Sequence, residues 1–446
     1  MRSTRRAAAI AASLLLLLGA CSTDDGDDDD PSAAETTAET DDDTASGTAD
    51  EGDETDDDAD DDGDGGSGGG DVVTGPGVTD DTITIGVLTD LSGPFAAGAQ
   101  LQVQIYNSYW PTQEVCGRSV EVQVQDHGYD PQQAVSLYRS MEPDIAALQQ
   151  LLGSPMIAAL LPTLEEDSMF AGGMGWSSVV LPSEIAQLPG APYAIEAANA
   201  VDYLVEEMGL AEGDVIGHLY FDGDFGGDSL AGAEYAAEQY GIEVTEQVIT
   251  PADQDMSSQA AAFQQAGVSA VIIGAAPGQL GSFAGVAQSI GLDVPIFTNT
   301  PAWNPTLLDG ESADALVANA YQVMSIAPYG KDAPGVAAAR DLYESETPDG
   351  LKDWGVTLGY IQAELLKAAL DAACEAGDLS REGIVAGMRS LSDLELDGLM
   401  SSALSYDEVG QPPTRMVHIT KVNPDVDGGL EVLTTYEGPS AQSYEY

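Results

Sequence analysis

Short apolar runs alternate with longer stretches of helical period from residue 78 onward, and this alternation is the pattern of βα units around a parallel sheet. The predicted strands cover 82–88, 120–125, 147–152, 215–220, 244–249, 270–273 and 295–298. The predicted helices between them cover 132–141, 197–208, 229–240, 258–266 and 279–290. Because an open sheet with so many strands tends to split, the pattern predicts an α/β fold with two doubly wound lobes.

The pattern changes after residue 327, where three helices and a closing β-hairpin are predicted. These elements cover 333–346, 355–376, 380–391, 415–422 and 429–436. Ser380 is the expected N-cap of the third helix. Ligands of open α/β sheets bind beyond the carboxyl ends of the strands, so the loops that follow strands are the expected functional site.

The first 20 residues are typical of a signal peptide, because three arginines precede an apolar run over 7–18. The next residues, Leu-Gly-Ala-Cys, resemble the bacterial lipoprotein site. That resemblance implies that the thiol of Cys21 carries a diacylglyceryl group and begins the mature protein. The apolar run falls short of the roughly 20 residues of a membrane span, and no later stretch is long enough. We therefore expect an exported, extracytoplasmic protein that the lipid alone holds at the cell membrane.

The chain is strongly acidic, with a formal net charge of −63. Residues 21–77 consist mostly of Asp, Glu, Gly, Ser, Thr and Ala, a composition that predicts a disordered tether. The charge excludes a phosphate-backbone binder, so no nucleic-acid partner is expected. A negative patch for a cationic ligand is the alternative reading, but acid residues spread along the whole chain favour a solvated surface in salty surroundings.

Two further cysteines, Cys116 and Cys374, remain in a compartment that permits disulfides. An even number favours a Cys116–Cys374 disulfide. Two buried free thiols are the alternative, because residues so distant in sequence cannot be joined on spacing alone.

Loops that follow predicted strands carry the first candidate ligand contacts. Ser92 and Phe95 lie in a Gly-Pro turn after the first strand. After the third strand, Ser154 is the predicted N-cap and Pro155 the first helical residue, which leaves the next two amides as an anion site. A serine that only caps its helix is the alternative. Pro162 is expected to end or kink this helix.

Two later turns add candidates. Trp176 and Ser177 lie in a polar and aromatic turn suited to hydrogen bonding and stacking, although a plain surface turn fits almost as well. The acidic loop 222–228, which contains Phe225, follows a strand. Its carboxylates suggest calcium, but the terminal glutamate of an EF-hand loop is absent. A ligand-facing loop is therefore preferred, and no metal is expected.

Signatures of catalysis are absent from the sequence, which has no GxSxG, Walker A, HExxH or CxxC motif. His127, His218 and His418 are far apart in sequence, and each is read as a structural or surface histidine. Neither an enzymatic activity nor a cofactor is expected.

Seven segments, in order, resemble signposts of the Leu/Ile/Val-binding-protein type of periplasmic solute receptor, the type I family that serves branched-chain amino acid ABC importers. They are ITIGVLTDLSGPFAAG, DHGYDPQQAV, LLGSP, YFDGDFGGD, AGVSAVIIGAAPGQ, GYIQAELLKAAL and LSYDEVGQ. The resemblance covers about residues 82–412.

The resemblance implies two α/β lobes that are joined by three crossing segments and close on a ligand like a hinged trap. The first lobe would take residues 78–192 and 325–396, and the second residues 193–324 and 397–446. It also implies a monomer that delivers a small-molecule solute to an ABC permease.

Site residues follow from the same resemblance. The serine that holds the ligand carboxylate corresponds to Ser154, and the family's Ser-Ala-Thr turn corresponds to residues 175–177. The family's first-loop aromatic falls near Gly98, its tyrosine at Ala275 or Ala276, and its ammonium-binding acid near Thr300 or Pro301, so all three are missing.

These departures question an α-amino acid ligand, and Trp176, Phe225 and Trp303 are predicted as cleft walls for an aromatic, amide or other small organic solute. The predicted class of solute therefore covers amino acid-like, amide and aromatic or carboxylate compounds. The expected ligand-binding residues are Ser92, Phe95, Ser154, Pro155, Trp176, Ser177, Phe225, Ala276, Thr300 and Trp303. Two alternative functions are a ligand-sensing lipoprotein that signals to a membrane partner and, less favoured, a surface hydrolase.

Overall fold

The computed structural model describes residues 72–446. The predicted signal peptide, the lipidation of Cys21 and almost all of the predicted tether lie outside these residues. Within residues 72–446, no helix combines the length and the apolar character that crossing a membrane requires.

The elements are numbered in chain order. The strands are β1 (Val73–Thr74), β2 (Thr82–Thr89), β3 (Glu114–Val115), β4 (Arg118–Asp126), β5 (Ala147–Leu152), β6 (Ala171–Met174), β7 (Ala186–Gln187), β8 (Val215–Phe221), β9 (Glu243–Ile249), β10 (Ala270–Gly274), β11 (Ile296–Thr298), β12 (Ala320–Met324), β13 (Asp378–Leu379), β14 (Val417–Val422) and β15 (Leu430–Tyr436). The α-helices are α1 (Ala96–Tyr109), α2 (Pro131–Met141), α3 (Ser154–Glu166), α4 (Tyr193–Glu206), α5 (Asp224–Tyr240), α6 (Ser257–Ala266), α7 (Pro277–Ile290), α8 (Ala313–Asn319), α9 (Pro334–Glu346), α10 (Trp354–Glu375), α11 (Arg381–Arg389) and α12 (Pro439–Ser443).

Two large sheets organise most of these elements, and β1 pairs with β13 in a separate two-stranded sheet. The first has the strand order β3-β4-β2-β5-β6-β7 and is parallel except for the β3–β4 pair. The second has the order β15-β14-β12-β11-β10-β8-β9, in which β14 and β15 are antiparallel additions to a parallel sheet. The predicted α/β fold with two doubly wound lobes is confirmed.

The chain passes between the two sheets three times. It leaves the first sheet after β7, returns after β12 to form α9 and α10, which pack on α1, and leaves again after α11 to form β14. The three crossings agree with a hinge of three segments. The residues at which the two lobes divide stay a prediction.

The central strand of the first sheet, β5, is buried along its whole length, although it contains two glutamines. Trp110 Nε1 donates to Gln149 Oε1 at 3.1 Å, and Gln150 Nε2 donates to Gln102 of α1. Buried amides cost free energy unless they are hydrogen-bonded, and these bonds offset part of that cost. Gln149 Nε2 and Gln102 Nε2 remain buried without a partner.

A disulfide joins Cys116, in the turn between β3 and β4, to Cys374 near the end of α10, with 5.8 Å between the two Cα atoms. The predicted N-cap is also present, because Ser380 Oγ accepts a hydrogen bond from the amide of Gly383 at 3.1 Å.

The start of α3 differs from the prediction. Gly153 is the N-cap residue with φ +100°, a conformation that favours glycine, and Ser154 is already helical. The amides of Met156 and Ile157 donate to the carbonyl of Gly153, so they do not form the predicted anion site. The helix also continues through Pro162 to Glu166.

Candidate functional site

A narrow cavity lies between the two sheets, at the carboxyl ends of their strands. Its lining residues are Phe95, Tyr129, Leu152, Gly153, Ser154, Trp176, Tyr193, Phe225, Thr300, Pro301 and Trp354. They come from loops after β2, β4, β5, β6 and β11 and from the first turns of α3, α4, α5 and α10. This is the position at which open α/β sheets bind their ligands.

Aromatic rings make up most of the cavity wall. Tyr193 lies between Trp176 and Phe225, with ring centroids 6.2 Å and 4.4 Å away, respectively. On the opposite part of the wall, Phe95 contacts Tyr129 with 5.0 Å between centroids. Such a wall offers a large apolar contact area and fixed ring orientations to a flat or slender ligand.

Two polar side-chain atoms on this wall have no hydrogen-bond partner. They are Ser154 Oγ and Trp176 Nε1, and each residue is only 2% exposed. The turn of Trp176 can reach the start of α3 because residue 175 is glycine, where a Cβ atom would lie 2.5 Å from Ser154 N. A buried donor without a partner costs about 1–3 kcal/mol, so both atoms are suited to a ligand acceptor.

The first turn of α3 adds a second attraction for an acceptor. Ser154 is the first helical residue, and because the amides of Met156 and Ile157 already donate to Gly153, this attraction comes from the position of the helix start and not from those amides. The positive end of the helix dipole also points here. None of the lining residues is charged, so hydrogen-bond donors and the dipole provide the electrostatics of the wall.

A carboxylate lies one layer behind this wall. Glu196 of α4 is fully buried and accepts hydrogen bonds from Thr300 N at 3.0 Å, Asn299 Nδ2 at 3.1 Å and Thr300 Oγ1. Burial raises the pKa of Glu196 to about 8, against the opposing effect of these donors. Because both oxygens are occupied and Glu196 is not on the cavity wall, it holds Thr300 in place instead of meeting a ligand ammonium.

The hydrogen-bond network around Glu196 continues through Asn299 to a serine and a histidine. Ser229 donates to Asn299 Oδ1 at 2.6 Å, so the contact of 3.1 Å between Ser229 Oγ and His218 Nε2 requires the histidine to donate. Burial lowers the pKa of His218 to about 3. Both residues are 0% exposed and lie off the cavity, so this Ser-His pair is not arranged as a nucleophile and its base.

The other two histidines lie elsewhere. His127 Nδ1 accepts from the amide of Tyr129, and His418 contacts Lys331 and Thr435. Among residues 72–446, no group of three or more His, Cys, Asp or Glu side chains is arranged to hold a metal ion.

Several contacts join residues that follow different sheets. Asp228 of α5 accepts hydrogen bonds from Ser178 Oγ and, at 3.1 Å, from the amide of Ala194. Trp354 Nε1 donates to the carbonyl of Trp303 at 2.9 Å. Burial raises the pKa of Asp228 to about 6. These contacts hold the two halves of the cavity wall together.

The structure brings five of the predicted ligand-binding residues together on the cavity wall, namely Phe95, Ser154, Trp176, Phe225 and Thr300. The other five lie off it, namely Ser92, Pro155, Ser177, Ala276 and Trp303. Ser92 is exposed, and Ser177 Oγ accepts from the amide of Val179. Ala276 is the buried residue before α7, and Trp303 Nε1 donates to the carbonyl of Gly428. Whether the five wall residues bind a ligand stays a prediction.

Sequence reasoning missed three aromatic wall residues, Tyr129, Tyr193 and Trp354. Tyr129 follows a predicted strand, and its position in that loop was a usable signal. Tyr193 and Trp354 are the first residues of α4 and α10, which follow crossings between the sheets, so nothing local in the sequence places them at the cavity. The acidic segment 222–228 also differs from the predicted loop, because α5 begins within it at Asp224.

The family profile described as periplasmic binding protein matches residues 82–429. A fatty acid ABC transporter substrate-binding protein from Thermomonospora curvata is similar, with 37% identity and a TM-score of 0.81 over 84% of this chain and 97% of that chain. A branched chain amino acid ABC transporter structure from Thermus thermophilus with bound valine has 16% identity and a TM-score of 0.69 over 81% of this chain and 97% of that chain.

A solute-binding protein from R. palustris in complex with benzoate has 16% identity and a TM-score of 0.67, over 80% of this chain and 97% of that chain. No curated protein matches the chain significantly. The family match covers well over half of the sequence and agrees with the two-sheet fold and the cavity between the sheets. The chain therefore belongs to the periplasmic binding protein family.

Proposed function

We propose that this chain is the substrate-binding protein of an ABC transporter and that it binds a small apolar carboxylate in the cavity between its lobes. The observation that carries the proposal is the chemical composition of the cavity wall. Aromatic rings make up most of this wall, its fully buried polar atoms without a partner are the hydroxyl of Ser154 and the N–H of Trp176, and no charged residue lines it.

The composition of the cavity wall disfavours an α-amino acid as the ligand. An ammonium group needs a carboxylate or several acceptors, and burying it without them costs several kcal/mol. Glu196 lies behind Thr300 with both oxygens hydrogen-bonded. A carboxylate, in contrast, would meet two donors and the positive end of α3.

The relative with 37% identity supports this class of ligand, since it is named as a fatty acid ABC transporter substrate-binding protein. Fatty acids and compact aromatic acids share the chemistry that the cavity recognises, which is one carboxylate on an apolar body. Titration with acids of different shape distinguishes fatty acids from compact aromatic acids as ligands.

Binding requires opening and closing of the lobes. The ligand touches residues of both lobes only when they are together, so its differential affinity moves the equilibrium toward the closed form. Closure excludes water, and in this surrounding a few hydrogen-bond donors stabilise a carboxylate more than they would on a surface. We propose that the permease recognises the closed form and that a lipid on Cys21 keeps the monomeric receptor at the extracytoplasmic face of the cell membrane.

Calorimetric titration with matched ligands tests the proposal. Phenylpropanoate differs from phenylalanine by the ammonium group, and phenylpropanol lacks the carboxylate. We expect phenylpropanoate to bind at least tenfold more tightly than either analogue, because only the acid fits both the donors and the apolar wall. Equal or tighter binding of phenylalanine would overturn the proposed ligand class.

Transport is tested separately from binding. Deletion of the gene should abolish uptake of the acid that binds the purified protein. Normal uptake with a lost transcriptional response to that acid would favour a sensing lipoprotein over a transport component.

A further inference from the structure

A second cavity adjoins the first and shares part of its lining. It lies beside Gly98, Pro277 and Trp303, and we name it the distal chamber. Phe95, Pro301 and Trp354 line both cavities. These three residues therefore lie between the first cavity and the distal chamber, and we name them the neck.

Both lobes contribute to the neck. Phe95 precedes α1 and Trp354 begins α10, whereas Pro301 follows β11 of the second sheet. The hydrogen bond of 2.9 Å from Trp354 Nε1 to the carbonyl of Trp303 ties the two sides together. The neck and the chamber are consequently complete only when the lobes are in contact.

The distal chamber is apolar apart from two residues that are hydrogen-bonded to each other. Asn304 Nδ2 donates to Asp353 Oδ2 at 3.4 Å, and the other oxygen of Asp353 accepts from the amide of Gly355 at 2.7 Å. Neither side chain is among the buried atoms without a partner. The chamber therefore suits an apolar segment better than a second polar group.

Gly98 leaves the chamber open. It is the third residue of α1, and a Cβ atom built on it meets no atom within 4 Å. A Cβ atom can therefore be added at position 98 without moving a neighbouring atom. Position 98 is thus a place on the chamber lining where the size of the side chain can be changed.

We propose that the distal chamber holds the tail of the bound acid, so that the preferred ligand is an elongated monocarboxylic acid and residue 98 sets its maximal length. This inference rests on the proposed function, because it places the carboxylate at Ser154 and runs the tail past the neck. It adds a second subsite and a residue that determines ligand length.

Titration of the full chain with butanoate, hexanoate, octanoate and decanoate tests the inference. In the unchanged protein, affinity should rise about fourfold for each added methylene while the tail remains in the cavity. Gly98→Phe should weaken octanoate binding at least tenfold and change butanoate binding less than twofold. Gly98→Ala and Gly98→Leu should give intermediate length limits.

Gly227→Phe is the matched control. Gly227 also lies in the first turns of a helix, with nothing within 4 Å of a built Cβ atom, but it is exposed and lies off both cavities. This variant should keep the length profile of the unchanged protein. A Gly98→Phe protein with an unchanged ratio of octanoate to butanoate affinity would overturn the distal chamber as the tail site, whether or not both affinities fall. If no acid of any length binds the unchanged protein, the proposed function fails, and the inference fails with it.

Discussion

Ser154 is the residue on which the proposed ligand recognition depends most. Its hydroxyl is buried without a partner at the positive end of α3, and the N–H of Trp176 on the same cavity wall is also unpartnered. A hydrogen bond to a charged group contributes about 1.5–3 kcal/mol. The same hydroxyl destabilises the free protein, because it is desolvated without compensation.

Replacement of Ser154 by alanine should therefore have opposite effects on binding and on the free protein. We expect Ser154→Ala to weaken acid binding about tenfold to a hundredfold and to leave the melting temperature of the free protein unchanged or higher. Calorimetric titration and thermal unfolding measure the two effects.

Ser92→Ala is the control for this variant, since Ser92 is exposed and lies off the cavity. It should bind the acid like the unchanged protein. Loss of affinity in Ser92→Ala and none in Ser154→Ala would contradict the proposed role of Ser154.

The sequence predicts some wall residues because their local signal is strong. Ser154 and Phe95 follow predicted strands directly, and the structure places both on the cavity. Trp354 is brought to the same cavity only by the crossing that returns the chain from the second sheet to the first. That arrangement depends on contacts between segments far apart in sequence, which no local pattern contains.

Helix α4 and the turn after β11 are tied together by one buried carboxylate, that of Glu196. Its ordinary pKa of 4.5 is raised to about 8 in the folded protein. Between these values, the folded protein keeps a proton that the unfolded chain has lost, so the free energy of unfolding falls as pH rises. Asp353, whose pKa burial raises to about 7, contributes in the same direction over a narrower range.

We therefore predict that Glu196 makes the free energy of unfolding fall between about pH 5 and about pH 8, with a slope of up to about 1.4 kcal/mol per pH unit. The buried His218 and His418, whose pKa values burial lowers to about 3, act in the opposite direction below about pH 6.5, so the effect of Glu196 is read from the difference between the unchanged protein and its variant. Glu196→Gln keeps the shape of the side chain and removes the charge, so it should flatten this slope. Urea denaturation across this pH range provides the measurement.

Glu207→Gln is the matched control, because Glu207 is an exposed glutamate at the end of the same helix. Its slope should equal that of the unchanged protein. An unchanged slope in Glu196→Gln would show that Glu196 is already ionised in the folded state at pH 5.

Elements with a clear apolar pattern and boundaries are predictable from the sequence, and others are not. The strands β5 and β8 to β11 lie within a few residues of their predicted bounds. In contrast, β6 contains two glycines in four residues and β12 follows α8 directly, so neither is set off as a separate strand in the sequence. Both are stabilised by neighbouring strands, which is a tertiary effect.

The charge of the whole chain opposes the arrival of an anionic ligand. The formal net charge is −63, and the cavity wall itself carries no charged residue that would offset it. Salt screens such long-range repulsion, with a Debye length of about 30 Å at 0.01 M and about 8 Å at 0.15 M.

We therefore predict that the association rate of octanoate rises severalfold between these two salt concentrations. Stopped-flow tryptophan fluorescence can follow binding, because Trp176 and Trp354 line the cavity. Octanol is the uncharged control, and its association rate should not change. A rate for octanoate that falls with salt would mean that a local positive potential dominates the approach.

At the scale of the whole folded part, residues that follow strands of both sheets line the cavity, so neither sheet completes it alone. Crystallography of the protein with bound octanoate tests this claim most directly. We predict one carboxylate oxygen within about 3 Å of Ser154 Oγ, with the apolar tail enclosed between residues of both sheets. An acid bound on the outer surface, or one whose carboxylate faces away from Ser154 and Trp176, would contradict the account.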